Sequence, residues 1–362
     1  MKKSSKATQN HQPTSKREKP AFTVGIDLGD RFSRYCRLNQ DSEVTEEGRI
    51  ATTKAALERH FAGEDRLRIA LECGTHSPWV SRLLESMGHE VVVANTRKIR
   101  AITASDAKND RNDAERLARF AAYDVGLLSP IRHRSPQRQY DLSLLEARDA
   151  LVRARTMLVN ATRGLVKSSG GRLPKCSTES FATKAAAAVP AAMEASLTPL
   201  LQQVGTLTQQ IRTMDRQIAA LEKRYPEVTR LRTVPGVGPV IAAAYVLTLD
   251  SPTVAPASRC AGAFLGLRPR QSQSGDSDPQ HRISKTGNGY LRRLLVQAAQ
   301  YVLGPFGPDS QLRRWGLRLA ASGGARGKKR AVVAVARKLA VLLHHLWRTG
   351  QSYRPFPETM SA

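Results

Sequence analysis

The sequence predicts an α/β domain on the N-terminal side of the chain, followed by a mainly helical remainder. Two short apolar runs, "LRIALEC" (67–73) and "HEVVVAN" (89–95), have the length and β-branched content of strands. The segment "SPWVSRLLESMG" between them has the Ser-Pro start and Gly end of a helix. Beyond residue 137 apolar residues recur at steps of three and four, which is the period of a helix. A chain of 362 residues has room for two or three domains.

The first strand is predicted in "AFTVGIDLG", which ends on Asp27 and a glycine turn. "RFSRYCRLN" can be the second strand of a hairpin with it, and the strand–helix–strand unit that follows predicts a mostly parallel inner sheet. Two classes of protein begin in this way. In RNase H-like nucleases the first-strand aspartate holds a divalent metal ion, and in actin- and sugar-kinase-like ATPases the strand and turn cradle nucleotide phosphate.

Net charge is the strongest global feature. The chain has 57 Lys and Arg against 31 Asp and Glu, a net charge of +26 and a pI near 10.6. Such a field favours a nucleic-acid partner, because neutralising phosphates releases counterions. The alternative is a merely basic soluble protein. In that case the excess positive charge would repel itself and destabilise the folded chain with no partner to neutralise it.

Cysteine usage and apolar runs exclude several classes. The four cysteines are scattered without a C-x-x-C pair, so neither a zinc site nor a disulfide framework is indicated, and a reducing cytoplasm fits. No apolar run approaches the roughly 20 residues of a membrane span. The basic start lacks the apolar run of a secretory signal and is expected to be a disordered tail.

The middle of the chain carries two apolar stripes with coiled-coil spacing. Their members are Leu144, Ala147, Leu151, Ala154, Leu158, Ala161 and Leu165, and then Leu197, Leu200, Val204, Leu207, Ile211, Met214, Ile218 and Leu221. Because Pro199 lies in the second stripe, that helix is expected to begin near it. An antiparallel hairpin, an arm that pairs with another subunit and a simple intramolecular bundle all stay open.

The C-terminal part begins with "VPGVGPVIAAAYVLTLD" (234–250), a turn that leads into a helix. "VPGVGP" resembles the hairpin of helix-hairpin-helix modules, where backbone N–H groups, here around Gly236 and Gly238, bind a DNA phosphate. A tight turn without any ligand is the alternative. A polar, glycine-bearing loop follows, and then two helices with basic starts, "NGYLRRLLVQAAQYVLG" and "GKKRAVVAVARKLAVLLHHLW".

These patterns predict five segments along the chain. They are a disordered basic tail (1–20), an α/β domain (21–130), a coiled-coil helical linker (137–225), a mainly helical C-terminal domain (226–350) and a second tail (351–362).

Four carboxylates could form a metal site. Glu72 ends the strand "RIALEC", and "SDAKNDRNDAERLARFAA" opens a helix that carries Asp110 and Asp113 on one face. In an RNase H-type sheet, strands one and four are neighbours and a following helix closes over their ends. These residues and Asp27 could then converge on two Mg²⁺ or Mn²⁺ ions about 4 Å apart. An ATPase would need a second phosphate loop and an adenosine pocket where the helical middle lies, so that class is disfavoured.

The polar loop "RPRQSQSGDSDPQHRISKTGNGYLRR" combines hydroxyls with cations. Phosphate binding alone would explain it, but a serine beside cations and metal could also attack a phosphodiester, with His281 in reach to assist. Its serines are Ser272, Ser274, Ser277 and Ser284. The cations predicted to contact nucleic acid are Arg268, Arg270, Arg282, Lys285, Arg292 and Arg293, together with Lys328, Lys329 and Arg330 of the last helix.

The whole array resembles the DEDD-type insertion-sequence transposases, which have a RuvC-like N-terminal domain and a C-terminal serine transposase domain. The matching pieces are "VGIDLGD", "ALECGTHS", "KNDRNDAERLA", "VPGVGPVIAA", "AFLGLRPRQSQSG", "HRISKTGNGYLRRLL" and "KKRAVVAVARKLAVLL", and they span residues 22 to 347. The resemblance implies an RNase H-like fold, metal-binding carboxylates at Asp27, Glu72, Asp110 and Asp113, and a nucleophilic serine at Ser274.

The resemblance also implies a mechanism. Domains from different subunits would form a composite site on donor and target DNA, with Mg²⁺ (or Mn²⁺) and a phosphoserine intermediate. A noncoding bridge RNA would choose the sites, the protein would act as a dimer or tetramer, and it would be cytoplasmic and nucleoid-associated. Two alternatives are a hydrolytic RuvC-like structure-specific DNA endonuclease, which would use the carboxylates and water, and a non-enzymatic nucleic-acid-binding protein.

Overall fold

The computed structural model describes residues 20–95, 110–274, 277, 279, 281–322 and 324–356, and only the backbone of Asp110, Arg111 and Ala325. The chain divides into two compact units, with the division between Arg134 and Ser135. The first unit is built on one sheet, and the second is mainly helical. This agrees with the α/β and helical classes predicted from the sequence.

The first unit contains one five-stranded sheet in the order β3-β2-β1-β4-β5. Strand β1 pairs antiparallel with β2 and parallel with β4, which itself pairs parallel with β5. The predicted hairpin, the predicted parallel inner strands and the adjacency of β1 and β4 are all confirmed. The strands are β1 (Thr23–Asp27), β2 (Phe32–Leu38), β3 (Val44–Ala51), β4 (Arg68–Glu72) and β5 (Glu90–Ala94).

Two elements of this unit were not predicted: β3 and the helix α1 (Lys54–Phe61). Strand β3 is the sheet's edge, and only Ile50 on it is buried, so no apolar alternation marks it. Helix α1 buries only Leu57 and Phe61 and is instead marked by its cap, where the Thr53 hydroxyl accepts the Ala56 N–H.

Helices cover both faces of the sheet. Helix α2 (Ser77–Ser86) packs Val80 and Leu84 against one face. Helix α3 (Asp110–Tyr123) lies on the other, directly over Gly25, where an added Cβ would be 2.0 Å from the Ala114 carbonyl oxygen. Arg68 starts β4 and donates from Nη1 to the Ala121 carbonyl oxygen at 3.3 Å. The C-terminal turn of α3 therefore lies over the start of β4, and its N-terminus points toward the carboxyl ends of the strands.

The second unit begins with a long antiparallel helical hairpin, α4 (Pro136–Ser168) and α6 (Glu194–Ala220), with the short α5 (Phe181–Ala186) between them. Arg148 Nε pairs with Asp215 Oδ1 at 2.6 Å, and Arg155 Nη1 donates to Thr208 Oγ1 at 3.3 Å. Seven residues forward on α4 correspond to seven residues back on α6, which establishes the antiparallel direction. Helix α6 begins one turn before Pro199, which the helix accommodates in its interior.

The predicted stripe on α4 was wrong by one residue. The buried side chains include Leu145, Arg155, Val159, Thr162 and Val166, whereas Leu165 is 44% exposed. The prediction counted only Leu and Ala, but the observed face contains polar groups that find partners, such as Arg155 on Thr208. On α6 the predicted stripe is largely confirmed, since Leu197, Val204, Leu207, Ile211 and Ile218 are buried.

The remaining helices surround α8 (Pro239–Leu249), whose residues from Ala242 to Leu249 are all buried. Around it lie α7 (Pro226–Leu231), α9 (Ala261–Phe264), α10 (Gly289–Leu303), α11 (Gln311–Ser322) and α12 (Gly327–Thr349). The sequence predicted α8, α10 and α12, but not α11. Within the described residues, no helix combines the length and apolar character needed to cross a membrane.

Candidate functional site

Two predicted metal ligands lie side by side at the carboxyl edge of the sheet. Ile26 is in register with Leu71, so the next residues, Asp27 and Glu72, end neighbouring parallel strands about 4.8 Å apart. Side chains alternate along a strand, and Gly25 and Ala70, two positions earlier, both face α3. The Asp27 and Glu72 side chains are therefore on the α3 side of the sheet.

The N-terminus of α3 brings further carboxylates toward this edge. Asp110 is the first residue of α3, and its side chain lies outside the described residues. Asp113, one turn later, is only 8% exposed, and its Oδ1 has no hydrogen-bond partner among the described groups. Arg116 Nη1 is 3.8 Å from that oxygen. A buried carboxylate oxygen without a hydrogen bond is costly, and a bound cation would remove that cost.

We define the carboxylate edge as Asp27, Glu72, Asp110 and Asp113. Among the described residues, which exclude the Asp110 side chain, no three His, Cys, Asp or Glu side chains are close enough to hold a metal ion. The donors are all hard oxygens, which suit Mg²⁺ or Mn²⁺. The chemistry of the edge fits a divalent cation.

In the second unit, the predicted serine loop is a two-stranded antiparallel arm, which we name the serine arm (residues 268–285, with 275, 276, 278 and 280 outside the described residues). Pro269 pairs with Ile283 at its base, where the Arg270 N–H donates to the Arg282 carbonyl at 3.0 Å. At its tip, Ser274 and Ser277 exchange two N–H···O bonds of 3.1 Å each.

The serine arm is exposed and cationic. Ser274 lies at the exposed tip, with Ser277 directly across from it, while Ile283 packs against the core of the unit. Since neighbours on a strand face opposite sides, Arg282 projects away from that core. Arg270, His281, Arg282 and Lys285 line a cleft of about 500 Å³. A serine hydroxyl and several cations are thus presented together on one projecting element.

Glycine and arginine fix the base of the arm, a role that was not predicted from the sequence. Gly266 and Gly287 have φ of +68° and +76°, and a Cβ on either would be within 2.2 Å of a backbone oxygen. Arg292 Nη1 donates to the Leu265 and Thr286 carbonyls at 3.0 and 2.9 Å. Arg293 pairs with Asp149 at 2.8 Å. Both arginines were predicted to contact nucleic acid, and each has an intramolecular partner. In the sequence, the glycines of "LGL" and "TGN" were the signal that could have indicated the two tight turns at the base of the arm.

The "VPGVGP" segment forms the turn between α7 and α8. Gly236 has φ of +81°, and a Cβ there would be 3.0 Å from the Ala298 carbonyl oxygen. Gly238 precedes α8 without a side-chain cap. The turn borders a cleft of about 490 Å³ that Arg232 and Tyr301 also line. Its contact with nucleic acid stays a prediction.

A third basic feature is the start of α12. Lys328, Lys329 and Arg330 are exposed in its first turn. Cations are disfavoured at the positive N-terminal end of a helix, so this arrangement favours a nearby anion. Gly327 allows α12 to begin against α11, since a Cβ there would be 2.4 Å from the Ala320 carbonyl oxygen.

Known proteins match most of the chain. A transposase model, DEDD_Tnp_IS110, matches residues 24–169, which include the carboxylate edge, and the model of the transposase IS116/IS110/IS902 family matches residues 228–313, which include the serine arm.

Curated relatives extend this match. A probable family 20 transposase of Pseudomonas aeruginosa is 31% identical over 92% of this chain and 98% of its own length. The transposase for insertion sequence element IS1111A of Coxiella burnetii is 26% identical over 91% of each chain, and that for IS1328 of Yersinia enterocolitica is 29% identical over 76% of this chain and 82% of its own. The chain therefore belongs to the IS116/IS110/IS902 family of insertion-sequence transposases and is a DNA transposase.

Proposed function

We propose that this transposase cuts and rejoins donor and target DNA by transesterification, with Ser274 as nucleophile and the carboxylate edge as its divalent-metal site. The observation that carries the proposal is that Asp27 and Glu72 end neighbouring strands at one edge of the sheet, toward which the acidic N-terminus of α3 points. Ser274 stands at the tip of an exposed cationic arm, where a phosphodiester can reach it.

We assign the first unit to the RNase H-like, RuvC-like class. The strand order β3-β2-β1-β4-β5, with three antiparallel and three parallel members sharing β1, supports this assignment. So does α3, which crosses the face onto which Asp27 and Glu72 project.

The proposed metal ligands are Asp27, Glu72, Asp110 and Asp113, and the proposed ion is Mg²⁺ or Mn²⁺. When bound, such an ion supplies Lewis-acid polarisation of a phosphate oxygen. The protein's own contribution is to hold four acceptor groups on rigid elements, two at strand ends and two on a helix. The buried Asp113 Oδ1 has no hydrogen bond, which supports a ligand role, because this oxygen could coordinate the ion instead.

The proposed chemistry conserves bond energy. The Ser274 Oγ forms a bond to phosphorus, the bond from phosphorus to a sugar oxygen breaks, and the serine proton ends on the released sugar hydroxyl. A hydroxyl from another strand then attacks the phosphoserine, which restores the serine and joins the new strand. Arg270 and Arg282 of the arm are placed to balance the charge that develops on the phosphate.

The nucleic-acid partners we propose are donor DNA, target DNA and a noncoding bridge RNA that the element encodes. The proposed location of the protein is the cytoplasm. The basic second unit supports polyanion binding, with contacts at the Gly236–Gly238 turn, the serine arm and Lys328, Lys329 and Arg330. Guidance by RNA rests on the resemblance to the family and is the part of the proposal that the experiment below tests separately.

We also propose a homo-oligomer, either a dimer or a tetramer. The α4 stripe that was predicted as a seam is not the face that α6 buries. Leu165 on this stripe is 44% exposed, and Met157 and Tyr140 on the same helix are 63% and 68% exposed. Large apolar side chains left exposed along α4 support pairing with a second copy.

The experiment is to express the full chain with its element's flanking noncoding DNA and matching donor and target sites. The reaction is then denatured, covalent DNA–protein adducts are isolated, and the attached residue is mapped by mass spectrometry. We expect an adduct on Ser274 that requires a divalent cation and the noncoding RNA, and that disappears in Ser274→Ala. Ser272→Ala and Ser277→Ala are the matched controls and should keep the adduct. Cut DNA with free ends and no adduct would move the assignment to the hydrolytic endonuclease.

A further inference from the structure

A short turn after β4 places His76 beyond the carboxyl end of that strand, at the start of α2. Three residues separate Glu72 from His76, and the next residue, Ser77, is fully buried at the start of α2. The Ser77 hydroxyl donates to the Gly74 carbonyl at 2.8 Å and accepts the Gly74 N–H at 3.0 Å. The turn is thus locked, and it fixes the backbone of His76.

A neighbouring tryptophan determines which His76 nitrogen carries the proton. The Trp79 Nε1–H lies 3.1 Å from His76 Nδ1. An indole N–H can only donate, so Nδ1 accepts and the neutral ring carries its hydrogen on Nε2. A doubly protonated ring would have two donors facing each other and would lose this bond. Of the two neutral tautomers, the Trp79 contact therefore selects the one with its hydrogen on Nε2.

The Nε2–H group points across the edge of the sheet. His76 Nε2 is 3.4 Å from Oδ1 of Asp30, which follows β1 as His76 follows β4. The Asp30 side chain is 94% exposed, so this long contact is weak and open to replacement. Because β1 and β4 are neighbours, both loops lie at the edge where Asp27 and Glu72 end their strands.

We propose that His76 is a catalytic residue that donates a hydrogen bond from Nε2 to a non-bridging oxygen of the DNA phosphate bound at the carboxylate edge. The assignment rests on the proposed function of that edge. Carboxylates can only accept hydrogen bonds, so a phosphate held there gains from an adjacent donor. A neutral imidazole provides one without a positive charge that would repel the metal ion, and it polarises an oxygen as other enzymes' neutral histidines do.

The same chemistry excludes His76 as a general acid. Giving up the Nε2 proton of the neutral ring would leave an imidazolate anion, which is too basic to form beside a carboxylate such as Asp30. The phosphate oxygen instead replaces Asp30 as the acceptor, and the proton stays on the ring throughout the reaction.

The test measures the single-turnover rate of the Ser274 adduct at saturating DNA, with DNA affinity measured separately. The full chain is used with its noncoding RNA and a duplex of its own element end. We expect His76→Ala to slow the adduct about 10- to 100-fold with affinity changed little, and His76→Gln, whose amide N–H reaches near the Nε2 position, to recover much of the rate. The matched control is His60→Ala, since His60 stacks on Tyr35 near Val24 and Leu67, at the opposite edge of the sheet.

Two further measurements separate this role from a structural one. On a duplex whose scissile phosphate is a methylphosphonate of the matching stereochemistry, the difference between wild type and His76→Ala should vanish, because the accepting oxygen is gone. In Trp79→Phe, the ¹⁵N spectrum of His76 should change from a single Nε2–H form to a mixture of tautomers, and the adduct should slow by a smaller factor than in His76→Ala.

Comparison with Asp27→Ala identifies which assignment fails. If Asp27→Ala abolishes the adduct while His76→Ala matches wild type, the His76 assignment alone is overturned. If His76→Ala and His76→Gln are equally slow and equally lowered in melting temperature, His76 is structural and the proposal is also overturned. If Asp27→Ala keeps the wild-type rate, the carboxylate edge is not the active site and both proposals fall.

Discussion

The two units of the chain differ most in their charge. Residues 20–134 hold 18 Lys and Arg against 17 Asp and Glu, whereas residues 135–362 hold 33 against 13. Several cations of the first unit are paired within it, as Arg37 is with Glu64 and Arg68 is with Glu90. The excess positive charge thus belongs to the second unit and to the basic tail, while the unit with the carboxylate edge is nearly balanced.

This difference separates two tasks that a DNA transposase must perform. Affinity for a polyanion comes from many exposed cations, each of which releases counterions. Chemistry at a phosphate through carboxylates needs the opposite, a local acidic cluster that attracts a divalent ion. A surplus of lysine and arginine beside Asp27 and Glu72 would compete with that ion. The comparison can be tested with substitutions in one unit at a time. Those in the first unit should affect adduct formation, and those in the second unit should affect DNA affinity.

The largest effect is expected at the carboxylate edge. Asp27→Asn and Glu72→Gln keep the size of each side chain but remove its charge, and adduct formation should fall by at least about 1000-fold. DNA affinity should change little, because the second unit supplies most of the cations. Gel-based adduct yield and fluorescence anisotropy measure the two quantities. A large loss of affinity in either variant would contradict the separation of tasks.

A comparison of two leucines on α4 sharpens the account of the second unit. Leu145 is fully buried, so Leu145→Ala should lower the free energy of unfolding by about 2–5 kcal/mol. Leu165, 44% exposed, should change it by less than about 0.5 kcal/mol when replaced by Ala but should weaken self-association. Urea denaturation and sedimentation provide the measurements. A destabilisation by Leu165→Ala as large as that by Leu145→Ala would show that Leu165 is buried in the folded protein and would contradict this account.

Part of the fold was predicted correctly from the sequence. Strands β1, β4 and β5 are continuous apolar runs because they are buried on both faces, and α8, α10 and α12 have long helical patterns. The neighbouring positions of Asp27 and Glu72 followed from those strands together with the strand order of an RNase H-type sheet, in which strands one and four are adjacent.

The remainder depends on contacts between distant residues. The buried face of α4 differs by one residue from the predicted stripe because it includes Arg155, which donates a hydrogen bond to Thr208 on another helix. An apolar pattern cannot indicate a buried polar residue of this kind. The serine arm was predicted as a loop because backbone groups pair while its side chains stay polar and exposed. His76 lies within the matching piece "ALECGTHS", but its role was not predicted from the sequence, because its hydrogen-bonding form depends on where Trp79 packs.

A moderate effect is expected for the cations of the serine arm. Arg270→Ala with Arg282→Ala should weaken DNA binding about tenfold or more and should lower the slope of log affinity against log salt by about 2, one for each lost phosphate contact. The control is Arg66→Ala in the first unit, which removes a cation already paired with Glu90 at 3.1 Å. A salt slope that falls equally in Arg66→Ala would show that the units share the task of binding.

The smallest effect is expected in the melting temperature of metal-loaded protein. Wild type should gain a few degrees with saturating Mg²⁺ in the absence of DNA, since a ligand that binds only the folded state stabilises it. Asp113→Asn should lose most of that gain, because its buried Oδ1 is the oxygen that an ion would satisfy. Without Mg²⁺ the variant should melt close to wild type, as a neutral amide costs less to bury than a carboxylate without a hydrogen bond. Asp215→Asn on α6, which removes a charge from a helix of the second unit, should leave the Mg²⁺ response intact. If both variants lose the Mg²⁺-dependent rise in melting temperature, the ion binds the protein as a diffuse counterion. The carboxylate edge would then not be a metal site.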